Sequence, residues 1–236
     1  MRYGGRISPA RLKMFRRLEQ TYPIAVIGYE NLRVISRMID DRLPLTAATV
    51  HLCIDMQKLF GPTGPWSTPW MDRVLPVVTR LVERHPARTV FTRFIPPKRA
   101  HDMPGQWQKY YQRWQDVTQE RLDTSLLDLI GPLGRYVPPA TVVDKTRYSG
   151  FASSTLYGHL QTRKADGLII TGSETDVCVL ATVLDAVDAG YRVILVRDAV
   201  CSSSDEGHDA LLKVYHGRYS EQIETAEAQE VLDRWR

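Results

Sequence analysis

The stretch GLIITGSETDVCVLATVLDAVDAGYRVILVRDAV, residues 167–200, contains a complete strand–helix–strand unit. Its first apolar run, residues 168–171, predicts a buried parallel strand, and Gly172 ends that run. Apolar residues then recur at helical spacing over residues 179–187, so one face of the predicted helix packs on a sheet. A second strand follows at residues 192–196. We therefore predict a βαβ unit with a right-handed crossover.

Cys178 lies in the first turn of this predicted helix, for which Thr175 is the expected N-cap. Backbone N–H groups at a helix N-terminus lack partners, and the helix dipole favours negative charge there. A thiol in that position is expected to have a lowered pKa and to be a good nucleophile. The alternative is a buried structural cysteine, which is how most free cysteines are used.

Composition is that of an ordinary globular protein. The chain has 236 residues, enough for one good core, with 43% hydrophobic and 25% charged residues. No apolar run approaches the roughly 20 residues of a membrane span, and the N-terminus lacks the apolar core of a secretory signal. Three cysteines are too few, and odd in number, for a disulfide framework. We expect a reducing, cytoplasmic compartment.

The positive charge is concentrated at one end of the chain. Residues 1–20 hold six Lys or Arg and one Glu, so the remainder sums to −1 although the formal net charge is +4. Such an arm can bind nucleic acid or anionic surfaces, or it can be a solvated helix or tail. A filter-binding assay that measures nucleic-acid binding across a salt series would distinguish a nucleic-acid-binding protein from an enzyme.

Helical spacing of apolar residues predicts a helical N-terminal extension, residues 1–46, ahead of a domain at residues 47–236. Its apolar faces, which include Leu12, Phe15 and Ile35, exceed what one small domain buries. We therefore expect a homo-oligomer, a dimer or a tetramer.

The rest of the chain alternates strands with helices. Four more runs rich in β-formers predict strands at residues 49–54, 88–94, 141–143 and 222–225. This alternation predicts an α/β fold, a three-layer αβα sandwich around a mostly parallel, Rossmann-like sheet of about six strands. Ligands of such sheets bind at the carboxyl ends of the strands, near the switch point.

Three chemically useful side chains come at strand ends: Asp55, Lys145 and Cys178. A cation there would stabilise a thiolate, and a carboxylate could accept the proton of the thiol. The sequence has no GxGxxG at the first strand–helix turn, no GxxxxGK[ST], no CxxC and no His pair with metal-ligand spacing. A nucleotide site or a metal site is therefore not supported.

Residues 95–120 interleave aromatic residues with cations. The aromatic residues are Trp107, Tyr110, Tyr111 and Trp114, and the cations are Lys98, Arg99, Lys109 and Arg113. Such a segment can line a pocket for a flat, polar or anionic ligand, or it can form a protein interface. It carries no repeated basic stripe of the kind that binds nucleic acid.

Three blocks resemble the isochorismatase-like cysteine hydrolases, a family that includes nicotinamidases, N-carbamoylsarcosine amidohydrolase and biuret hydrolase. IDMQKLF contains Asp55, and DKTRYSGF contains Lys145. The third block, TGSETDVCVLATVLDAVDAGYRVILVRDAV, contains Cys178. The resemblance covers about residues 48–225.

The resemblance implies hydrolysis of a C–N bond in a small amide, carbamoyl or ureido compound through a thioester. Asp55 would act as base on Cys178, and Lys145 would hold the charges. Backbone N–H groups of Glu174 and Cys178 would bind the oxyanion. The family also carries a cis non-proline peptide bond shortly before its nucleophile, which here falls at Ser173–Glu174.

The chain departs from the metal-dependent nicotinamidases of the family. These place an Asp-x-His group after the second strand, whereas here His101 and Asp102 are adjacent. We therefore expect no metal, no cofactor and no nicotinamidase activity. Nor do we expect a nucleic-acid or membrane partner.

The pocket is expected to use six side chains: Gln57, Phe60, Arg93, Trp107, Tyr110 and Tyr148. Arg93, Arg99 or Arg113 could orient a substrate carboxylate or a second carbonyl. Arg93 could instead pair with a structural acid at the sheet edge. The other possibility for the whole protein is a non-catalytic binding or scaffolding role on the same fold.

Overall fold

The computed structural model describes residues 44–235, so nearly all of the predicted N-terminal extension, including its basic arm, lies outside the described residues. Within them, the strands are β1 Val50–Ile54, β2 Thr89–Phe94, β3 Thr141–Lys145, β4 Gly167–Ser173, β5 Arg192–Cys201 and β6 Ile223–Ala226. The α-helices of the same range are α1 Met71–Arg84, α2 Gln106–Arg113, α3 Ser154–Thr162, α4 Cys178–Asp188, α5 Asp205–Gly217 and α6 Ala228–Arg234.

The strands of this region form one parallel sheet in the order β3-β2-β1-β4-β5-β6. The chain runs outward from β1 to β3 on one side and from β4 to β6 on the other. This confirms the predicted α/β fold with a parallel sheet. The order reverses between β1 and β4, so their carboxyl ends flank the crevice where such sheets bind ligands.

Helices cover both faces of the sheet. Cys53 of β1 packs with α1 and α6 on one face, whereas Leu52 and Ile54 pack with α3, α4 and α5 on the other. Successive strand residues point to opposite faces, so β1 contributes to both apolar layers. All five of its residues are buried, as expected of a central parallel strand.

Gly172 lets β1 and β4 approach closely near the crevice. It has φ 112°, a conformation that side chains rarely adopt, and a Cβ at this position would collide with the carbonyl of Ile54. The register with β5 shifts here, because Ile170 pairs with Leu195 while Gly172 pairs with Val200. This bulge brings the end of β5 beside the end of β4.

Helix α4 begins at Cys178, whereas the predicted N-cap at Thr175 would start the helix two residues earlier. Residues 174–177 form a turn, and Val177 occupies the N-cap position without a side-chain cap bond. The hydroxyl of Thr175 is instead 2.8 Å from Nδ1 of His208. The prediction of Thr175 as N-cap is therefore wrong, although Cys178 does lie in the first turn.

Within residues 44–235, none of the helices combines the length and the apolar character that a membrane span requires.

Candidate active site

Asp55 is a buried carboxylate at the carboxyl end of β1. It is 0% exposed and has φ 48°, which turns the chain sharply after the strand. The hydroxyl of Thr92 donates to its Oδ1 at 2.6 Å, and its Oδ2 lies 2.6 Å from Nζ of Lys145. Buried charges need such partners, and the ion pair supplies a full opposite charge.

Lys145 reaches Asp55 from the end of β3. Strand β2 lies between them, and Nζ of Lys145 lies 5.0 Å from the centroid of the Phe94 ring on that strand. Nζ also donates to the carbonyl of Arg147 at 3.0 Å. Burial alone would lower the pKa of Lys145, but the charge of Asp55 and the nearby thiol outweigh it and raise the pKa. The ammonium therefore stays charged although it is buried.

Cys178 completes the group from the start of α4. It is 5% exposed, and its thiol lies within hydrogen-bonding reach of both Asp55 and Lys145. Burial raises the pKa of Cys178, the charge of Asp55 raises it further, and Lys145 opposes both. The expected lowering of this pKa is therefore wrong, because burial and the carboxylate outweigh the helix N-terminus. The thiol is therefore protonated at neutral pH, beside a carboxylate that could accept its proton.

The turn before Cys178 presents two backbone donors. In the part of the chain that the structure describes, no hydrogen bond engages the N–H of Glu174 or of Cys178. The carbonyl of Glu174 accepts from Val177 and Val179 at 3.0 Å each. The peptide bond between Ser173 and Glu174 is cis. Two unpartnered N–H groups beside a nucleophile can hold a developing oxyanion.

The loop after β5 supports this turn. The N–H of Thr175 donates to the carbonyl of Cys201 at 2.9 Å, and the hydroxyl of Ser202 donates to Asp176 at 2.5 Å. The carboxylate of Glu174 accepts from the N–H of Ser203 at 3.0 Å. The extended end of β5 thus fixes the segment that carries the two donors.

A connected set of rings lies beside the thiol. We call it the aromatic wall, and it comprises Phe60, Trp66, Phe94, Trp107, Tyr110, Tyr111 and Tyr148. Trp107 joins Tyr148 at 4.8 Å and Tyr110 at 5.6 Å between ring centroids. Burial, Cys178 and Glu174 raise the pKa of Tyr148, so its hydroxyl lies in the same electrostatic field as the thiol. Such a wall suits a flat ligand.

Four of the expected pocket residues therefore belong to the aromatic wall: Phe60, Trp107, Tyr110 and Tyr148. Sequence reasoning missed Trp66, which lies in the Pro- and Gly-rich loop after β1. Its ring centroid is 5.9 Å from that of Phe94 and 6.1 Å from that of Tyr110. An aromatic residue in a loop that follows a strand end was the available signal.

Gln57 is held by the backbone and does not line an open pocket. It is 0% exposed, and its amide nitrogen donates to the carbonyls of Phe94 and Leu127 at 3.1 and 2.9 Å. Its side-chain oxygen accepts from the N–H of Phe94 at 2.7 Å. The side chain ties the end of β2 to the segment after β1, which departs from the expected pocket role.

Two of the candidate arginines are committed to acids. Arg93 forms a two-bond pair with Asp144 on the neighbouring strand, at 2.8 and 2.9 Å. Arg99 lies 3.5 Å from Asp102 and 3.6 Å from Glu120. Arg93 thus takes the alternative that the sequence left open, a structural acid at the sheet edge, and the expectation that it points into the site is corrected.

The segment after β2 carries two side chains that could bind a metal, His101 and Asp102. His101 and Asp102 form a side-chain pair at 3.5 Å. Across residues 44–235, no group of three or more His, Cys, Asp or Glu side chains is arranged to hold a metal ion. The catalytic candidates themselves include one carboxylate and one thiol, paired with an ammonium.

Comparison with known proteins gives a family and a fold. The isochorismatase domain family matches residues 49–227. A protein of Arabidopsis thaliana named "Probable inactive nicotinamidase" is 30% identical over 177 residues, which cover 69% of this chain and 85% of that protein. The N-carbamoylsarcosine amidase of an Arthrobacter species is 29% identical over 167 residues, 65% of this chain. That match spans 58% of the amidase, less than two thirds of its length.

Among solved structures, a cysteine hydrolase from Pseudomonas syringae pv. phaseolicola 1448A superimposes with a TM-score of 0.69. The two are 23% identical, and the match covers 82% of this chain and 95% of the other. At this level of identity the likeness establishes a shared fold.

Proposed function

The chain belongs to the isochorismatase family of hydrolases, and from this premise we propose that it is a cysteine-dependent amidohydrolase. It would cleave the C–N bond of a small amide, carbamoyl or ureido compound through a thioester on Cys178. The observation that carries the proposal is the buried pair formed by Asp55 and Lys145, whose charged atoms are 2.6 Å apart and which both act on the pKa of the Cys178 thiol.

Acylation begins with a neutral thiol. Because burial keeps the pKa of Cys178 raised, its proton moves to Asp55 as Sγ attacks the substrate carbonyl carbon. The oxyanion that forms is held by the N–H groups of Glu174 and Cys178. When the tetrahedral intermediate collapses, the C–N bond breaks, and the leaving nitrogen takes the proton from Asp55. Ammonia or an amine departs, and the acyl group remains on sulfur.

Deacylation repeats the same proton movements with water. Asp55 accepts a proton from the water molecule as its oxygen attacks the thioester carbon. The C–S bond then breaks, and the proton returns from Asp55 to Sγ. The acid product leaves, and the starting state is restored.

Lys145 stabilises the charges that appear in both halves of the cycle. Its raised pKa keeps it cationic, so it stabilises Asp55 as a carboxylate before proton transfer and the sulfur anion as it forms. The aromatic wall supports a flat, compact substrate, since rings beside the thiol would stack on a planar amide or ureido group. The Arthrobacter relative, an N-carbamoylsarcosine amidase, supports the carbamoyl class of substrate.

A non-catalytic role remains the second candidate, because the Arabidopsis relative is named as probably inactive. The three side chains that would do the chemistry are all present in this chain, and this favours the enzyme. A protein kept only for binding has no need of a buried ion pair against a thiol, which is costly to maintain.

The test is an ammonia-release screen over primary amides, carbamoyl amino acids and ureido compounds. We expect release from at least one class with the full-length protein and with a Cys201→Ser control, and none with Cys178→Ser. The control removes a thiol that is buried at the end of β5. A folded protein that releases ammonia from none of these compounds, or a fully active Cys178→Ser variant, would overturn the proposal.

A further inference from the structure

Thr92 is a buried residue of β2 whose hydroxyl touches the proposed base. Strand β2 lies between β1, which leads into Asp55, and β3, which ends at Lys145. Thr92 is 0% exposed, and its hydroxyl donates to Oδ1 of Asp55 at 2.6 Å. The proton transfers of the proposed cycle give this hydroxyl no task of its own.

The direction of the hydroxyl proton follows from its neighbours. The backbone N–H of Asp55 donates to Oγ1 of Thr92 at 3.1 Å and to the Thr92 carbonyl at 3.2 Å. Oγ1 therefore accepts from the N–H, while an ionised carboxylate can only accept. The hydroxyl proton must then point at Oδ1, and this oxygen of Asp55 is occupied by Thr92.

Packing holds the Thr92 side chain in this orientation. A Cβ at Gly150 would lie 3.5 Å from Cγ2 of Thr92, so the methyl group rests against the segment that follows β3. Branching at Cβ also restricts rotation of a threonine side chain. With its methyl group packed on one side, Thr92 keeps its hydroxyl on Asp55.

The two oxygens of Asp55 therefore differ. Oδ2 lies 2.6 Å from Nζ of Lys145, and no backbone N–H or hydroxyl among residues 44–235 donates to it. If Oδ2 takes a proton, Oδ1 becomes the carbonyl oxygen and keeps the bond from Thr92. If Oδ1 takes it, the oxygen that accepts from Thr92 becomes a hydroxyl, which accepts less well, and a buried donor loses part of its bond.

We propose that Thr92 is a positioning residue that holds Oδ1 of Asp55 and thereby makes Oδ2 the oxygen that carries the proton. In acylation the S–H bond of Cys178 breaks and an Oδ2–H bond forms, and that proton then passes to the leaving nitrogen. In deacylation Oδ2 takes the proton from water and returns it to Sγ. The inference rests on the proposed hydrolase function and assigns its proton transfers to one atom.

A purely structural role for Thr92, tying β2 to the end of β1, predicts a different result. Loss of such a tie would lower stability, whereas loss of a positioning bond also changes how activity depends on pH. The titratable groups that act on or pair with Asp55 are Lys145 from β3, Cys178 from α4 and Cys53 on β1. All three remain when Thr92 is replaced, so a changed pH dependence reports the lost hydroxyl.

The experiment measures kcat and KM for ammonia release across pH, on the best compound of the screen, for Thr92→Val, Thr92→Ser and a Thr89→Val control. Valine keeps the shape of threonine without the hydroxyl, and serine keeps the hydroxyl. Thr89 is also a buried residue of β2, but its hydroxyl lies 3.4 Å from Nδ1 of His51 and donates to the carbonyl of His85. The control therefore removes a buried hydroxyl from the same strand without touching Asp55.

We expect Thr92→Val to lower kcat/KM at its optimum by about 10- to 100-fold, mainly through kcat, the range for one hydrogen bond to a charged group. The pH below which activity falls should rise by about one to two units, because a carboxylate that loses such a bond is protonated more readily. Thr92→Ser should keep this pH and most of the activity. Thr89→Val should lower the melting temperature alone.

An unmoved pH profile in folded Thr92→Val, or equal losses in Thr92→Ser and Thr92→Val, would overturn the inference. If Thr92→Val does not fold, Thr92→Ala removes the same hydroxyl without adding a methyl group, and it should show the same displaced profile.

The alkylation rate of Cys178 by iodoacetamide across pH separates this inference from the proposed function, because it needs no turnover. The pH below which this rate falls should also rise in Thr92→Val and stay in place in Thr89→Val. Such a rise in a protein that releases no ammonia supports the role of Thr92 while the proposed function fails. Unmoved profiles in both measurements, with normal ammonia release, refute the role of Thr92 and leave the proposed function standing.

Discussion

Two buried titratable side chains, one on β1 and one directly after it, lie in different electrostatic surroundings. His51 and Asp55 are both 0% exposed and both belong to, or directly follow, β1. His51 is bonded to two threonines, with Thr171 at 2.8 Å and Thr89 at 3.4 Å, and burial lowers its pKa to about 3. It is therefore neutral. Asp55 instead has a charged partner, because Nζ of Lys145 lies 2.6 Å from its Oδ2.

The difference shows that burial of a titratable group does not by itself mark a site. His51 has its two ring nitrogens satisfied by fixed hydroxyls and faces no group that reacts. Asp55 has a charged partner, Lys145, and the thiol of Cys178 as its neighbours, at the carboxyl end of the strand where the sheet order reverses. A shifted pKa indicates function only when the group also meets a reactive neighbour.

The largest expected effect distinguishes the two residues by activity. Asp55→Asn should lower kcat/KM by about 1000-fold or more, because the amide keeps the shape but cannot accept the proton of the thiol. His51→Gln should lower the melting temperature but keep kcat/KM within about threefold. Steady-state kinetics on the best compound of the screen, with thermal melts of both variants, measure this. Similar decreases of kcat/KM in Asp55→Asn and His51→Gln would contradict the proposal that only Asp55 takes part in catalysis.

A smaller effect distinguishes them by stability. The folded pKa of His51 is about 3, below its value in the unfolded chain, so the unfolded state binds a proton first as the pH falls. The free energy of unfolding should therefore drop below about pH 6.5, by about 1.4 kcal/mol per pH unit from this group. Urea denaturation from pH 7 to 4 should show a shallower drop in His51→Gln. If the free energy of unfolding fell equally with pH in the unaltered protein and in His51→Gln, the lowered pKa of His51 would be contradicted.

The smallest expected effect concerns Arg93. Its pair with Asp144 is partly exposed, with 29% and 48% of the two side chains accessible, so it contributes little stability. Arg93→Ala should change kcat/KM by less than about threefold, since no charge-assisted contact to substrate is lost. A fall of about 30-fold in kcat/KM in a folded Arg93→Ala variant would show that Arg93 contacts the substrate.

The fold was predictable because buried parallel strands appear in the sequence as short apolar runs between helices. The three catalytic candidates, Asp55, Lys145 and Cys178, can be identified from their positions at strand ends and from the three sequence blocks that resemble the family. The order of the strands in the sheet cannot be read from the sequence. The sequence therefore does not show that Lys145 reaches Asp55 past the ring of Phe94. That geometry comes from β2 lying between β3 and β1.

Two misjudgements about the site have physical causes. The pKa of Cys178 was given the wrong direction, because a helix start is visible in a sequence while burial beside a carboxylate is not. The sequence places Arg93 at the end of a strand and so favours the crevice, whereas the structure pairs its guanidinium with Asp144 through two hydrogen bonds. That partner lies on β3, and a sequence does not show that β3 is the neighbour of β2.

The most direct test of the account is to find which cysteine is the nucleophile. Cys53 and Cys201 are 0% and 1% exposed, and burial raises the pKa of each to about 12. Cys178 has a raised pKa too, but of the three thiols only that of Cys178 has both Asp55 and Lys145 acting on it. With substoichiometric iodoacetamide near neutral pH, peptide mapping should place the label on Cys178, and ammonia release should fall in proportion. Labelling of Cys53 or Cys201 first, or full activity with Cys178 alkylated, would contradict the account.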